Sequence, residues 1–156
     1  MKFAFLFSLI SLVSSGQVRA ADPAHALRQT AQEIVFHYGV VPAAVVLAHP
    51  DKHPEREMHR GAAPKGASHL VVALFDAAKG ERIADAEVTA TVTLLGGASA
   101  TKRLEPMAIA NQPSFGGFFS LGAPGIYRLR FEARRPGVSE VASAEFEYRL
   151  SPEGRR

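Results

Sequence analysis

From Tyr127 to Ala133 every second residue is apolar: Tyr127, Leu129, Phe131 and Ala133, separated by Arg128, Arg130 and Glu132. A period of two predicts a strand with one face in a core and the other in water. The alternation recurs in Ala142, Ala144, Phe146, Tyr148 and Leu150, set against Ser143, Glu145, Glu147 and Arg149. It recurs again in Val88, Ala90, Val92 and Leu94, set against Glu87, Thr89, Thr91 and Thr93. Leu70 to Phe75 (LVVALF) is apolar throughout and stops at Asp76, which predicts a strand buried on both faces. Lys102 to Ile109 predicts a weaker strand, with Pro106 marking an edge or a bulge because proline cannot donate to a ladder. Gly117 to Leu121 predicts another short strand. Turns separate these runs: Ala77-Ala78-Lys79-Gly80, Gly96-Gly97, Pro124-Gly125 and Pro136-Gly137. The paired glycines suit the positive φ of a tight hairpin.

Ahead of Ser68 the pattern is less regular. Glu33–Tyr38 (EIVFHY) and Ala44–Leu47 (AVVL) predict strands at the edge of the assembly. Ala24–Gln32 reads as a short helix or an unfolded leader. Several short strands, Gly/Pro turns and no convincing amphipathic helix predict an all-β fold, an immunoglobulin-like β-sandwich over 68–150. An irregular His-rich segment over 21–67 precedes it, and a disordered tail over 151–156 follows. The Cys–Trp–Cys hallmark of antibody domains is absent, since the chain has neither residue type.

The first twenty residues read as an address. Lys2 supplies a positive start, Phe3–Val13 an apolar run, Ser14-Ser15-Gly16-Gln17 a polar stretch, and Val18-Arg19-Ala20 a small-x-small cleavage site. That is the build of a secretory signal peptide cleaved near Ala20/Ala21, and it is too short for a spanning helix. No later apolar run approaches the roughly twenty residues a membrane span needs. The expected mature protein is periplasmic or secreted, with no membrane span. Export changes the charge argument. The net charge of +3 loses Lys2 and Arg19, which leaves the mature chain near neutral and removes the case for nucleic-acid binding. Without cysteine there is no disulfide, no thiolate chemistry and no cysteine-ligated zinc or Fe–S site.

Two pieces carry a family resemblance: LVVALFDAAKGERIADAEVTATV, with its Asp-x-x-x-Gly turn, and PGIYRLRFEARRPG, with its Pro-Gly-x-Tyr hairpin. On these pieces the stretch from His69 to Tyr148, about half the chain, resembles the YtkA-like and FixH-like group of small exported β-sandwich domains. The resemblance implies metal handling, notably of copper, in the bacterial envelope. It assigns no ligand in the His-rich segment, which lies outside the matching pattern.

The candidate chemistry sits ahead of the strands. All six histidines fall between His25 and His69. The stretch His49-Pro50-Asp51-Lys52-His53-Pro54-Glu55-Arg56-Glu57-Met58-His59 concentrates imidazoles beside a thioether. Neutral imidazole is the commonest metal ligand, and a thioether favours copper over magnesium or calcium. The candidate ligands are therefore His49, His53, Met58 and His59, extended to His69, His37 and Met107. The competing reading is a solvated polar loop. His37 also reads as a core histidine and Met107 as core filler. His37 should face away from Phe36 and Tyr38. No nucleophile elbow, phosphate loop or dinucleotide fingerprint supports an enzyme. The expected function is a metal-binding protein, not an enzyme, that acts as a copper carrier, buffer or assembly factor. Its partners would be a transition-metal ion and an envelope protein. The alternative is a metal-free immunoglobulin-like interaction module that binds an envelope protein or a glycan through Phe115–Phe119.

Overall fold

The computed structural model describes residues 27–47 and 66–152. These residues form two antiparallel sheets. The strands are β1 (Arg28–Ala31), β2 (Ile34–Pro42), β3 (Ala67–Asp76), β4 (Glu87–Leu94), β5 (Ser99–Arg103), β6 (Glu105–Ile109), β7 (Gln112–Ser120), β8 (Gly125–Arg134) and β9 (Val141–Leu150), with a one-turn helix α1 (Ala43–Leu47) after β2. One sheet has five strands in the order β1-β2-β3-β7-β6, and the other four in the order β5-β4-β8-β9. The core lies between them, with Phe36, Leu70, Leu74, Phe115 and Phe119 from the first and Val88, Leu129, Phe131 and Phe146 from the second. Each such side chain contributes about 1.5–3 kcal/mol by leaving water. The all-β sandwich is thus observed as expected.

The long alternating runs became β4, β8 and β9 with their apolar residues inward. Tyr127 shows why Pro-Gly-x-Tyr is a useful closing motif. Its buried hydroxyl donates to Ala123 O at 2.7 Å, a link of the tyrosine-corner kind that pins the strand to the turn before it. The Asp76–Gly80 turn has an equally local cause. Asp76 Oδ1 accepts the Ala78 and Lys79 N–H groups at 3.1 and 3.0 Å, and Gly80 takes a φ of 70°, where a side chain would be strained.

Several expectations require correction. Lys102–Ile109 is not one strand. The chain leaves the four-stranded sheet after Arg103, buries Leu104, and enters the five-stranded sheet as β6. Pro106 does lie on an edge, since among the described strands β6 pairs only with β7. Leu70–Phe75 is buried fully on one face only: Leu70, Val72 and Leu74 enter the core while Val71, Ala73 and Phe75 are half-buried on the other side. Ala44–Leu47 belongs to α1 rather than a strand. Pro42 ends the ladder by lacking an N–H, and Ala43 and Val46, three apart, are the buried pair. Ala24–Gln32 contains strand β1 instead of a helix, and β1 takes the edge that Glu33–Tyr38 was expected to occupy. Among the described residues the strands therefore begin at Arg28, well ahead of Ser68. Two glutamines fasten β1 to the other sheet. Gln29 Oε1 accepts the Glu145 N–H at 2.8 Å and Gln32 Oε1 the Ser143 N–H at 3.2 Å, satisfying donors on the outer side of edge strand β9.

Candidate metal centre

The five-stranded sheet has an outward face as well as a core face, and the site is on the outward one. Leu70 and Phe119 point into the core, so their neighbours His69 and Phe118 point away from it. His69 pairs with Phe118 across β3 and β7. Two residues before Phe118 on the same face is Gly116, opposite Glu105 of β6. Two residues beyond Glu105 is Met107, opposite Ser114. Pairing thus gathers His69, Phe118, Gly116, Ser114 and Met107 from three adjacent strands.

These outward residues are covered: His69 is 2% exposed, Ser114 3% and Met107 6%. The His69 ring packs against Phe118 with centroids 4.9 Å apart. Helix α1 packs on β2 and β3 beside them. At the centre is Gly116. A Cβ built there would lie 2.5 Å from Met107 Sδ and 2.8 Å from His69 Nε2. Both donor atoms therefore converge on the space above one α-carbon, a space any other residue would fill. From the far side Arg82 Nη1 donates to Pro113 O at 2.7 Å and to Ser114 Oγ at 3.2 Å, fixing the strand across from Met107.

An uncharged imidazole nitrogen and a thioether sulfur make a soft to borderline donor set. It suits copper, and it suits magnesium or calcium poorly because those ions take oxygen ligands. Among the described residues no group of three or more His, Cys, Asp or Glu side chains is placed to hold a metal. Any centre built on His69 and Met107 thus depends on sulfur and on donors beyond these two.

Of the seven candidate ligands, then, the structure brings His69 and Met107 together. His37 is elsewhere. It pairs with Ala73, four residues along β3 from His69, and is exposed on the outward face while Phe36 and Tyr38 are buried, as alternation predicts. Its ring meets Phe75 edge-on at 5.2 Å. Partial burial of the ring first, then the guanidinium groups of Arg28 and Arg82, hold its pKa below the ordinary histidine value. His49, His53, Met58 and His59 lie outside the described residues, as does the signal-peptide region. The Phe115–Phe119 stretch, the contact surface of the alternative reading, lies within strand β7: Phe115 and Phe119 are core and Phe118 packs on His69. Sequence reasoning missed Gly116, Ser114 and Phe118 as neighbours of the pair. The available signal was the parity of Ser114, Gly116 and Phe118, which opens a gap of two small residues on one face of a strand.

The chain has the fold of several solved proteins. A DUF4426-family protein from Pseudomonas aeruginosa PAO1 superposes with a TM-score of 0.60 at 13% identity, over 81% of this chain and 97% of that one. FetP of uropathogenic Escherichia coli strain F11, recombinantly expressed in the periplasm of E. coli, gives 0.59 at 17% identity, over 80% and 92%. Copper-reconstituted P19 of Campylobacter jejuni gives 0.60 at 12% identity, over 81% and 95%. At these identities the likeness is one of fold. No family profile matches the sequence, and no curated protein matches it. No helix among the described residues is long and apolar enough to cross a membrane.

Proposed function

We propose that this protein is a periplasmic copper-binding protein, acting as a carrier, buffer or assembly factor, and that His69 and Met107 supply two of its ligands. The observation that carries the reading is the convergence of Met107 Sδ and His69 Nε2 over Gly116. Copper-bound forms of proteins with this fold, FetP and P19, support the choice of metal. The segment holding His49, His53, Met58 and His59 leaves from α1, which packs on β2 and β3, and rejoins the chain at β3 two residues before His69. Both ends are thus tethered next to the pair, which favours that segment as the source of further donors.

Competition titration with Cu(I) and with Cu(II) tests the assignment on wild type, His69→Ala and Met107→Leu. Leucine keeps the volume of methionine, so Met107→Leu should cost less than about 1.5 kcal/mol in stability. It should weaken Cu(I) binding more than Cu(II) binding, because the thioether is the softer ligand. His69→Ala should weaken both. If all three proteins bind copper equally, the pair is packing and the assignment fails. The double variant His53→Ala/His59→Ala asks the same question of the tethered segment.

A further inference from the structure

Away from the copper pair, the same outward face carries a second cluster that the proposed function does not use. Arg82 lies in the connection between β3 and β4, bridged to Phe75. Its guanidinium carbon sits 4.5 Å above the centroid of the Phe75 ring. His37 meets the edge of that ring at 5.2 Å and 69°. Arg28 pairs with His37 across β1 and β2. One aromatic ring therefore organises two strands and a loop so that three nitrogen-bearing side chains share one patch.

The hydrogen bonding of Arg82 is informative. Nη1 spends its two N–H bonds on Pro113 O and Ser114 Oγ, which locks the plane of the group. Neither Nε nor Nη2 has an acceptor among the described residues. The remaining edge, Nε with Nη2, is the fork that holds a carboxylate or phosphate by two parallel hydrogen bonds. Arg82 is half-buried and has no carboxylate partner among the described residues, although a half-buried charge ordinarily finds one. The charges acting on His37 are the two arginines. The nearby Asp76 carboxylate is already engaged by the Ala78 and Lys79 N–H groups and by Arg135 at 3.6 Å.

We propose that Arg82, His37 and Arg28 form a binding site for an oxyanion, a carboxylate or phosphate group of a small molecule, with Arg82 as the bidentate anchor. His37 donates a ring N–H from the side, and Arg28 adds charge at the open rim. The ligand must be anionic, since a cation would meet two permanent positive charges. Protonation of His37 adds a third, so affinity rises as the pH falls through the titration of His37, whose facing charged groups are Arg28 from β1 and Arg82 from the β3–β4 connection.

The test is an NMR titration of the whole chain with sodium phosphate and, separately, sodium citrate, against sodium chloride at matched ionic strength. The His37 ring and Arg82 Nε–H signals are followed. Saturable shifts with phosphate or with citrate, and none with chloride, are expected. The arm that saturates tells phosphate from carboxylate. Shifts that grow linearly and equally in all three salts overturn the site. Arg82→Lys keeps the charge but loses the fork, and should weaken binding about tenfold or more, the worth of one charge-assisted hydrogen bond. Because Arg82 also supports Pro113 and Ser114, the exposed double variant Arg28→Gln/His37→Gln gives an independent check. It should fold normally and also lose affinity. Undiminished affinity in either folded variant overturns the proposal.

Discussion

The two sheets of the sandwich turn very different faces outward. On the four-stranded sheet that face is a solvated lattice. Thr91 meets Thr101 and Thr93 meets Ser99, both at 2.9 Å, while Arg128 meets Glu145 at 3.0 Å and Arg130 meets Glu132 at 2.8 Å. On the five-stranded sheet the equivalent positions hold a buried histidine, a buried methionine, a buried serine and a glycine. The core lies on the opposite side of that sheet, so it does not require them. Burying an imidazole costs desolvation that a leucine or valine would avoid. A polar group withdrawn from water on the face that does not make the core is therefore the feature that points to chemistry, and the threonine and charge lattice shows what that face looks like without it.

Gly116 offers the largest perturbation of this contrast. In Gly116→Val the new Cβ would sit within 3 Å of both donor atoms. One side chain or the strand must shift, at about 1–3 kcal/mol for overpacking, and copper affinity should collapse. The matched change on the other sheet, Thr91→Val, should stay within about 0.5 kcal/mol. Chemical denaturation midpoints with copper titrations compare the two. Equal, small effects would mean that the outward faces do not differ as described.

The contrast also explains what could be read before any coordinates. Strands β4, β8 and β9 were legible because one face is core and the other water, so polarity alternates at every step. Strands β3 and β7 blurred that code. Their outward positions are largely covered, so Leu70–Phe75 looked buried on both faces and Phe115–Phe119 read as an aromatic interaction stretch. The change of sheet at Leu104 was hidden because a crossing residue is as apolar as a strand residue. His69 and Met107 could be named as candidate ligands by type. Their meeting depends on the registers His69↔Phe118 and Met107↔Ser114, and a register between distant strands is not written in either strand alone.

Within the five-stranded sheet, two tight hairpins carry non-glycine residues at positive φ: Gln32 (42°) and Glu33 (61°) between β1 and β2, Ala110 (49°) and Asn111 (60°) between β6 and β7. Glycine suits such positions better. Asn111→Gly should therefore stabilise the protein by up to about 1 kcal/mol, with copper affinity unchanged, because only the turn is altered. Gln32 behaves differently, since its side chain holds Ser143. Gln32→Gly should gain less than Asn111→Gly, or lose stability. Thermal melts of the two variants separate turn strain from the clasp between the sheets.

A smaller effect follows from His37. Its pKa is lowered in the fold by burial and by Arg28 and Arg82, so the unfolded chain takes up this proton at a higher pH than the folded one. The stability contributed by the neutral ring is present above the unfolded value, near 6.5, and is lost as the pH falls through it towards the lower folded value. His37→Gln should flatten that part of the stability–pH curve in a buffer free of phosphate and carboxylates. If the slope survives unchanged, another group titrates there. No comparable slope is expected from the arginine and threonine positions of the other sheet's outward face.

The smallest effect is expected on the lattice itself. Arg128 and Glu145 meet diagonally across β8 and β9, since Arg128 pairs with Glu147 and Arg130 with Glu145, and their side chains are 58% and 52% exposed. Water already solvates both charges, so the ion pair replaces hydration as much as it adds attraction. Salt screens the remainder, and two flexible side chains must be ordered to form it. A double-mutant cycle with Arg128→Ala and Glu145→Ala should return a coupling of about 0.2–1 kcal/mol at low salt, and less at 1 M salt, where the screening length falls to about 3 Å. A coupling of several kcal/mol that resists salt would show that this face is also shielded from water. The difference between the two outward faces would then no longer single out His69 and Met107.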